Sequence, residues 1–262
     1  MRSQCDVAHP HEGYQILKKW RDYFLTKSLA DPQMSAHLKD LNEQIINGPR
    51  TLPLSVALPT GPVFVYSTNV DRFFLRAGFD DAEVLETHGN YEEFQCSGLK
   101  REREGNLPSY RIFDRPCCTQ TWKLPEDFDF GVDASSFTAQ NFPLCPSCGM
   151  LARPRVYMFG DSMFLPPAQE DVFFNCMLAV SSLLKGNPSL SLALLEVGVG
   201  LRLPKIRKCF EGLLHRFPSQ VSIIRINPSL PSSSLSSHSS LISLPLSSYE
   251  ALKSIDEKLK MK

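Results

Sequence analysis

The chain has 262 residues, 42% of them hydrophobic and 10% aromatic, enough to bury a sizeable core in one or two domains. Lysine plus arginine and aspartate plus glutamate each number 28, so the formal charge is zero and no global field favours nucleic acid. The first nine residues lack the apolar stretch of a secretory signal, and no apolar run approaches the roughly 20 residues of a membrane span. The expectation is an intracellular protein, cytoplasmic or nuclear, with neither membrane nor direct nucleic-acid contacts.

In chain order, residues 10–25 place Ile16, Trp20 and Tyr23 on one helical face. A weak second helix is predicted around 37–46, stopped by Asn47-Gly48-Pro49. Residues 63–66 (Val-Phe-Val-Tyr) read as a buried strand running into Ser67-Thr68-Asn69. A helix over 71–77 follows, with Gly78 as its cap, and then a short strand over 84–86 that delivers His88. From 92 to 153 the texture changes to prolines, cysteines, charges and isolated aromatics, as in a small domain held by something other than a large core. Beyond it, strands over 156–159, 192–197 and 221–226 alternate with helices over 169–185 and 204–217. The helix over 169–185 holds the longest apolar run of the chain, 172–184, interrupted by Asn175 and two serines. This βαβ alternation predicts an α/β fold, a Rossmann-like doubly wound parallel sheet carrying a small zinc-binding insert domain. Residues 1–91 and 154–262 would form the large domain and 92–153 the small one. Within the large domain the serine-rich stretch 229–248 reads as a loop, and residues 249–262 as a charged amphipathic helix.

Eight cysteines in a chain read as intracellular argue for thiols or metal ligands rather than a disulfide framework. Cys145-Pro-Ser-Cys148-Gly is half of a zinc knuckle, because two thiolates one tight turn apart can occupy adjacent corners of a tetrahedron. The other half falls to Cys96 and one of the doublet Cys117-Cys118, and spacing leaves the choice within the doublet open. Removing residues 97–115 would bring Cys96 and Cys117 to ordinary knuckle spacing, so that stretch reads as an insertion, either a surface loop or an artefact of the gene model. Cys176 and Cys209 lie in apolar helical patterns and read as small core residues.

His9, His11, His37, His215 and His238 read as ordinary surface or core histidines. His88 differs: it follows a short strand and precedes Gly89 at the carboxyl edge of the expected sheet, where a neutral imidazole suits a general base. Asn69 and Asp71 follow a buried strand, where carboxamide and carboxylate can hold ribose hydroxyls or a nicotinamide amide; a helix N-cap explains Asn69 equally well. Gly198-Val199-Gly200 after a strand permits close backbone approach to a phosphate or ribose, although glycines are also ordinary turn residues, and so is Asn227-Pro228.

Taken together, these residues resemble the sirtuin family of NAD-dependent protein deacylases. The matching run is Tyr-Ser-Thr-Asn-Val-Asp (66–71), Ala-Gly-Phe (77–79), Glu-Thr-His-Gly (86–89), Gln95-Cys96, and Pro116-Cys117 followed by Trp122. It continues through Cys145-Pro-Ser-Cys148-Gly, Arg153-Pro154, Val-Tyr-Met-Phe-Gly-Asp (156–161) and Ile226-Asn227, and the resemblance covers about residues 10–262. Gly-Val-Gly where many members have Gly-Thr-Ser, and Phe-Gly-Asp where many have Phe-Gly-Glu, indicate a divergent branch. The resemblance implies that an acylated lysine of a protein or peptide meets NAD, and that its acyl oxygen attacks the ribose carbon as nicotinamide leaves. His88 would activate a ribose hydroxyl for the following step. Asn69 and Asp71 would lie near the nicotinamide ribose and amide; Gly198, Gly200 and Asn227 would lie near the phosphates and adenosine ribose. Cys96, Cys117, Cys145 and Cys148 would hold a structural zinc, and the substrate would pair as a strand beside residues 156–160.

Sirtuins open with a strand and a Gly-Ala-Gly-Ile-Ser type loop that cradles the cofactor, and Met1 falls roughly where the helix after that loop begins. Thr68 stands where many members have a glutamine near nicotinamide. Two expectations therefore stand side by side: an NAD-dependent protein deacylase with His88 as base, or a catalytically inactive zinc module or truncated isoform that binds acylated peptide or a protein partner. A zinc hydrolase is disfavoured, since no histidine pair sits at ligand spacing near the cysteines.

Overall fold

The computed structural model describes residues 8–104, 107–112, 117–200, 204–229 and 239–259, with the backbone alone for 100–104 and 107–112. Cys5 and His238 lie outside the described residues. The first elements are α1 (Glu12–Ala30), α2 (Pro32–Ile46), β1 (Val65–Ser67) and α3 (Phe73–Arg76). A 3-10 turn at Asp81–Glu83 leads into β2 (Val84–Glu86). Next come β3 (Gly89–Cys96), β4 (Leu99–Glu104), β5 (Leu107–Ile112), β6 (Thr121–Lys123) and β7 (Ala152–Val156). The last are α4 (Gln169–Gly186), β8 (Leu192–Val197), α5 (Lys205–Arg216), β9 (Val221–Ile226), β10 (Leu241–Leu244) and α6 (Ser248–Leu259). The chain is thus α/β, with mixed helices and sheets. It forms two compact units, a larger one from His9–Tyr66, Phe73–Leu85 and Ala168–Lys262, and a smaller one from Ser67–Arg72 and Glu86–Pro167. Among the described residues, no helix is long and apolar enough to cross a membrane.

In the larger unit, β8, β9 and β10 form a parallel sheet in the order β10-β9-β8, with Leu192 opposite Val221 and Leu241 opposite Ile223. Side chains alternate across such strands, and this alternation serves two cores. Leu194, Val221 and Ile223 pack with Leu184 of α4 and Leu213 and Leu214 of α5. Leu195, Val197, Ile224 and Ile226 turn the other way, towards Trp20 of α1 and Ala251 and Leu252 of α6. The sheet is therefore covered by helices on both faces, as near-continuous apolar strands require. Glu196 and Arg225 lie on the first of these faces, and their buried ion pair closes at 2.5 Å. The strand β10 falls inside the serine-rich stretch expected to be a loop: Leu241-Ile-Ser-Leu is short but extends the β9 edge.

The helices begin and end for local reasons. Asp31 accepts from the amides of Gln33 and Met34 and is followed by Pro32, a combination that stops α1 and starts α2. The second helix consequently begins earlier than the expected 37. Asn175, the polar interruption of the apolar run in α4, is almost fully buried and donates to the carbonyls of Ile45 and Arg50, fixing the turn after α2.

In the smaller unit, β3 is flanked by antiparallel β6 and β7, and β4 and β5 form a separate hairpin. The final strand of this sheet was expected over 156–159 but occupies Ala152–Val156. Pro154 misleads here: it lacks an N–H, yet β7 is an edge strand and pairs opposite Phe94 without needing one. The charged stretch within 97–115, expected as an insertion, either a surface loop or a gene-model artefact, contains the β4–β5 hairpin, which forms its own two-stranded sheet. The short β1 and β2 pair with each other and run from the larger unit into the smaller.

Candidate functional site

Residues 67–72 run alongside residues 87–92 within the smaller unit. The Thr87 amide donates to the Ser67 carbonyl at 3.0 Å, and the Tyr91 amide to the Val70 carbonyl at 3.3 Å. Between them, His88 Nδ1 lies 3.2 Å from the Thr68 carbonyl oxygen. A carbonyl only accepts, so in the neutral ring this contact places the proton on Nδ1 and leaves the lone pair on Nε2. That is the tautomer a general base needs. The His88 ring stacks on Tyr157, with centroids 5.7 Å apart and planes at 24°, while the Tyr157 amide donates to the His88 carbonyl at 2.9 Å. Ring and backbone are thus fixed by the same neighbour.

Gly89 is there for a reason of its own. Its φ is +71°, and a Cβ at this position would lie 1.9 Å from the Arg155 carbonyl oxygen. Only glycine allows β7 to approach so closely. Asn69 is exposed and its amide donates to the Ser67 hydroxyl; it does not act as an N-cap, since α3 begins only at Phe73. Asp71 is half-buried, and the next residue, Arg72, takes an unusual φ of +58°. The Arg72 guanidinium lies 3.2 Å from Glu92 and 3.7 Å from the buried Glu86, so ion pairs hold the strained residue at the end of the loop. Asn69, Asp71 and His88 are accordingly gathered on one framework.

The four predicted cysteines also converge. The sulfurs of Cys96, Cys117, Cys145 and Cys148 all lie within 4.8 Å of one another, with Cys96 and Cys145 buried and the other two exposed. Four ligands about 2.3 Å from a zinc ion stand about 3.8 Å apart at tetrahedral corners. The separations Cys96–Cys117 (3.6 Å), Cys117–Cys145 (3.8 Å) and Cys96–Cys148 (3.9 Å) match that edge, while Cys117–Cys148 is shorter at 2.8 Å. Burial alone would raise the thiols of Cys96 and Cys145. Backbone amides of Cys117 and Gly98 on the first, and of Ser147 and Cys148 on the second, more than offset this and hold both below the ordinary value. The Cys117 thiol, donating to Cys148, is pushed up instead. The donor set thus fits a thiophilic divalent ion, and thiolate-only ligation leaves no open position for catalysis. By contrast Cys176, away from this cluster, is raised to about 12 by burial and is a core residue.

The remaining predicted positions belong to the larger unit. Gly198 has φ of +67°, and among the described residues, chain neighbours aside, no atom lies within 4 Å of a Cβ built on Gly198 or Gly200. Asn227 follows β9; its Nδ2 donates to the Val199 carbonyl at 3.2 Å and its Oδ1 accepts from the Ser229 amide at 3.0 Å. Arg207, also buried, donates to the same Val199 carbonyl at 2.8 Å. The Tyr157 ring, the Arg72 ion cluster and Arg207 were not singled out from the sequence. Arg72 directly after Asn-Val-Asp was the available signal, but a charged residue beside a polar loop reads equally well as solvated surface.

Fold and site define an α/β protein with a histidine-bearing loop and a four-cysteine cluster. A family model described as the Sir2 family matches residues 60–180, the segment that contains Asn69, Asp71, His88 and all four cysteines. An NAD-dependent protein deacetylase of Thermotoga maritima is 27% identical over 143 residues, covering 53% of this chain and 47% of that protein. Together these findings support assigning the chain to the sirtuin family. The chain spans about half the length of the curated relative it matches.

Proposed function

We propose that this chain is a sirtuin-like NAD-dependent protein-lysine deacylase of Rossmann-like fold, with His88 as general base and a structural zinc at Cys96, Cys117, Cys145 and Cys148. The observation that carries this reading is the pairing of His88 Nδ1 with the Thr68 carbonyl, which leaves Nε2 basic on the same framework as Asn69 and Asp71. NAD, when bound, would supply an electrophilic ribose carbon and a nicotinamide leaving group. His88 Nε2 would take a ribose hydroxyl proton, with Tyr157 keeping the ring oriented, and Asn69 and Asp71 would hold the nicotinamide ribose and amide. Among the described residues nothing crowds Gly198 and Gly200, which suits close backbone approach to phosphate or ribose, with Asn227 held to the same segment through Val199. An acylated-lysine peptide would add as a strand beside 156–160, where Met158 and Phe159 are exposed.

A second reading, a zinc-bearing module that binds acylated peptide or a protein partner without turnover, is favoured by Asn227, whose carboxamide is engaged at both ends, donating to the Val199 carbonyl and accepting from the Ser229 amide. Incubating the full chain with NAD and an acetyl-lysine peptide separates the two. Nicotinamide release that requires the acyl group supports the enzyme; peptide binding with no nicotinamide release supports the module.

A further inference from the structure

A fifth thiol touches the cluster. Cys118 Sγ lies 3.7 Å from Cys145 Sγ, and Cys117 Sγ lies 3.8 Å from the same atom. Both distances equal the roughly 3.8 Å edge of a tetrathiolate zinc site. The two side chains of the doublet therefore flank Cys145 at the same range, and Cys118 also interacts with the Cys117 thiol. Cys118 stands outside the group of four sulfurs that are mutually within 4.8 Å, so taking a corner requires it to move towards Cys96 and Cys148. The local backbone permits this: residues 117–120 belong to no strand or helix, and a shift there breaks no ladder before β6 begins at Thr121. Cys117, meanwhile, is exposed and sits at 2.8 Å from Cys148, closer than a tetrahedral edge allows, so it too must move to ligate. Neither member of the doublet is preset on the fourth corner, whereas Cys96 and Cys145 are buried in place.

Resting on the zinc reading above, we infer that Cys117 and Cys118 are interchangeable fourth ligands, a ligand-exchange site in which Cys118 replaces Cys117 on the metal. The step is a substitution without electron transfer. The Cys118 thiol gives its proton to water as its sulfur bonds zinc, the bond from zinc to Cys117 breaks, and the Cys117 thiolate takes up a proton.

The test uses the full chain loaded with zinc or cobalt, read by metal content, by competition with a chromophoric chelator and by the thiolate-to-cobalt absorption. Cys117→Ser should keep about one metal per chain and a four-thiolate cobalt spectrum, with affinity lowered by no more than the roughly 10–100-fold that loss of a supporting group causes. Cys117→Ser/Cys118→Ser should show a three-thiolate spectrum and a much larger loss. If Cys117→Ser already behaves as the double variant, exchange is refuted while the zinc site stands; wild-type chain that binds no metal refutes the zinc reading itself. A second measurement needs no variant. Brief alkylation of the zinc-loaded wild type, followed by peptide mapping, should divide the label between Cys117 and Cys118, about one per chain, sparing Cys96, Cys145 and Cys148. Label confined to Cys118 would contradict exchange.

Discussion

The two units of this chain solve the same problem with different materials. The larger buries leucine, isoleucine and valine on both faces of a parallel sheet, and the apolar clusters among the described residues all fall within it. The smaller buries Glu86, Thr87, Asn90, Gln95, Ser97, Cys96 and Cys145, with Tyr91, Phe94 and Leu124 as its apolar share. Its order comes from specific bonds. Gln95 clamps the Met163 carbonyl and the Leu165 amide, Asn90 accepts from the amides of Glu92 and Glu93, and the thiols converge. A segment so poor in apolar contacts depends on each bond being made, because a buried polar group left unpaired costs about 1–3 kcal/mol. It can, however, hold a loop such as 67–72, with Arg72 at φ +58°, in a strained conformation.

This contrast can be broken at its strongest point first. Cys145→Ser should release about one zinc per chain, as expected of sites in which metal contributes roughly 10–16 kcal/mol. It should abolish order in the smaller unit while far-ultraviolet dichroism of the larger persists; unchanged metal content would refute the site. Next, His88→Ala should lower NAD-dependent deacylation by roughly 10²–10⁴-fold with zinc content unchanged, and unaltered turnover would remove His88 from the base role. On the other side of the comparison, Leu214→Ala, at a fully buried position, should cost the larger unit about 2–5 kcal/mol in urea unfolding without changing chelator competition. Coupled loss of metal affinity would show that the units are not energetically separate.

The smallest effect concerns the clamp of α6 on α1. Asp256 accepts from Lys19 Nζ at 2.9 Å and Trp20 Nε1 at 2.8 Å, and these bonds, Lys19 first, hold its carboxyl below the ordinary value. A lowered carboxyl stabilises the fold above its unfolded pKa and stops doing so as pH falls through the folded one. Asp256→Asn should therefore cost at most about 1 kcal/mol at neutral pH, with the difference fading in acid. A difference that grew in acid would reverse the sign assigned to this pair.

Much of the larger unit was legible from sequence because its strands are apolar runs with clear stops. Residues 192–197 and 221–226 are strands as expected, joined by the expected helix. The smaller unit was less legible for the reason that makes it different. The β4–β5 hairpin has no apolar alternation to mark it, and β7 carries a proline tolerated only because it lies at an edge. Cysteine spacing pointed to the thiols that converge, since side chains able to share an ion must share a place, but could not separate Cys117 from Cys118. The His88 tautomer was beyond reach, because it depends on a main-chain carbonyl that any residue at position 68 would supply.

The most direct test compares amide hydrogen exchange of the zinc-loaded chain before and after chelation. Protection should collapse in 89–96, 121–123 and 152–156 while 192–197 and 221–226 keep theirs, as expected if metal does for one unit what the apolar core does for the other. Equal loss in both sets, or no change in either, would contradict it.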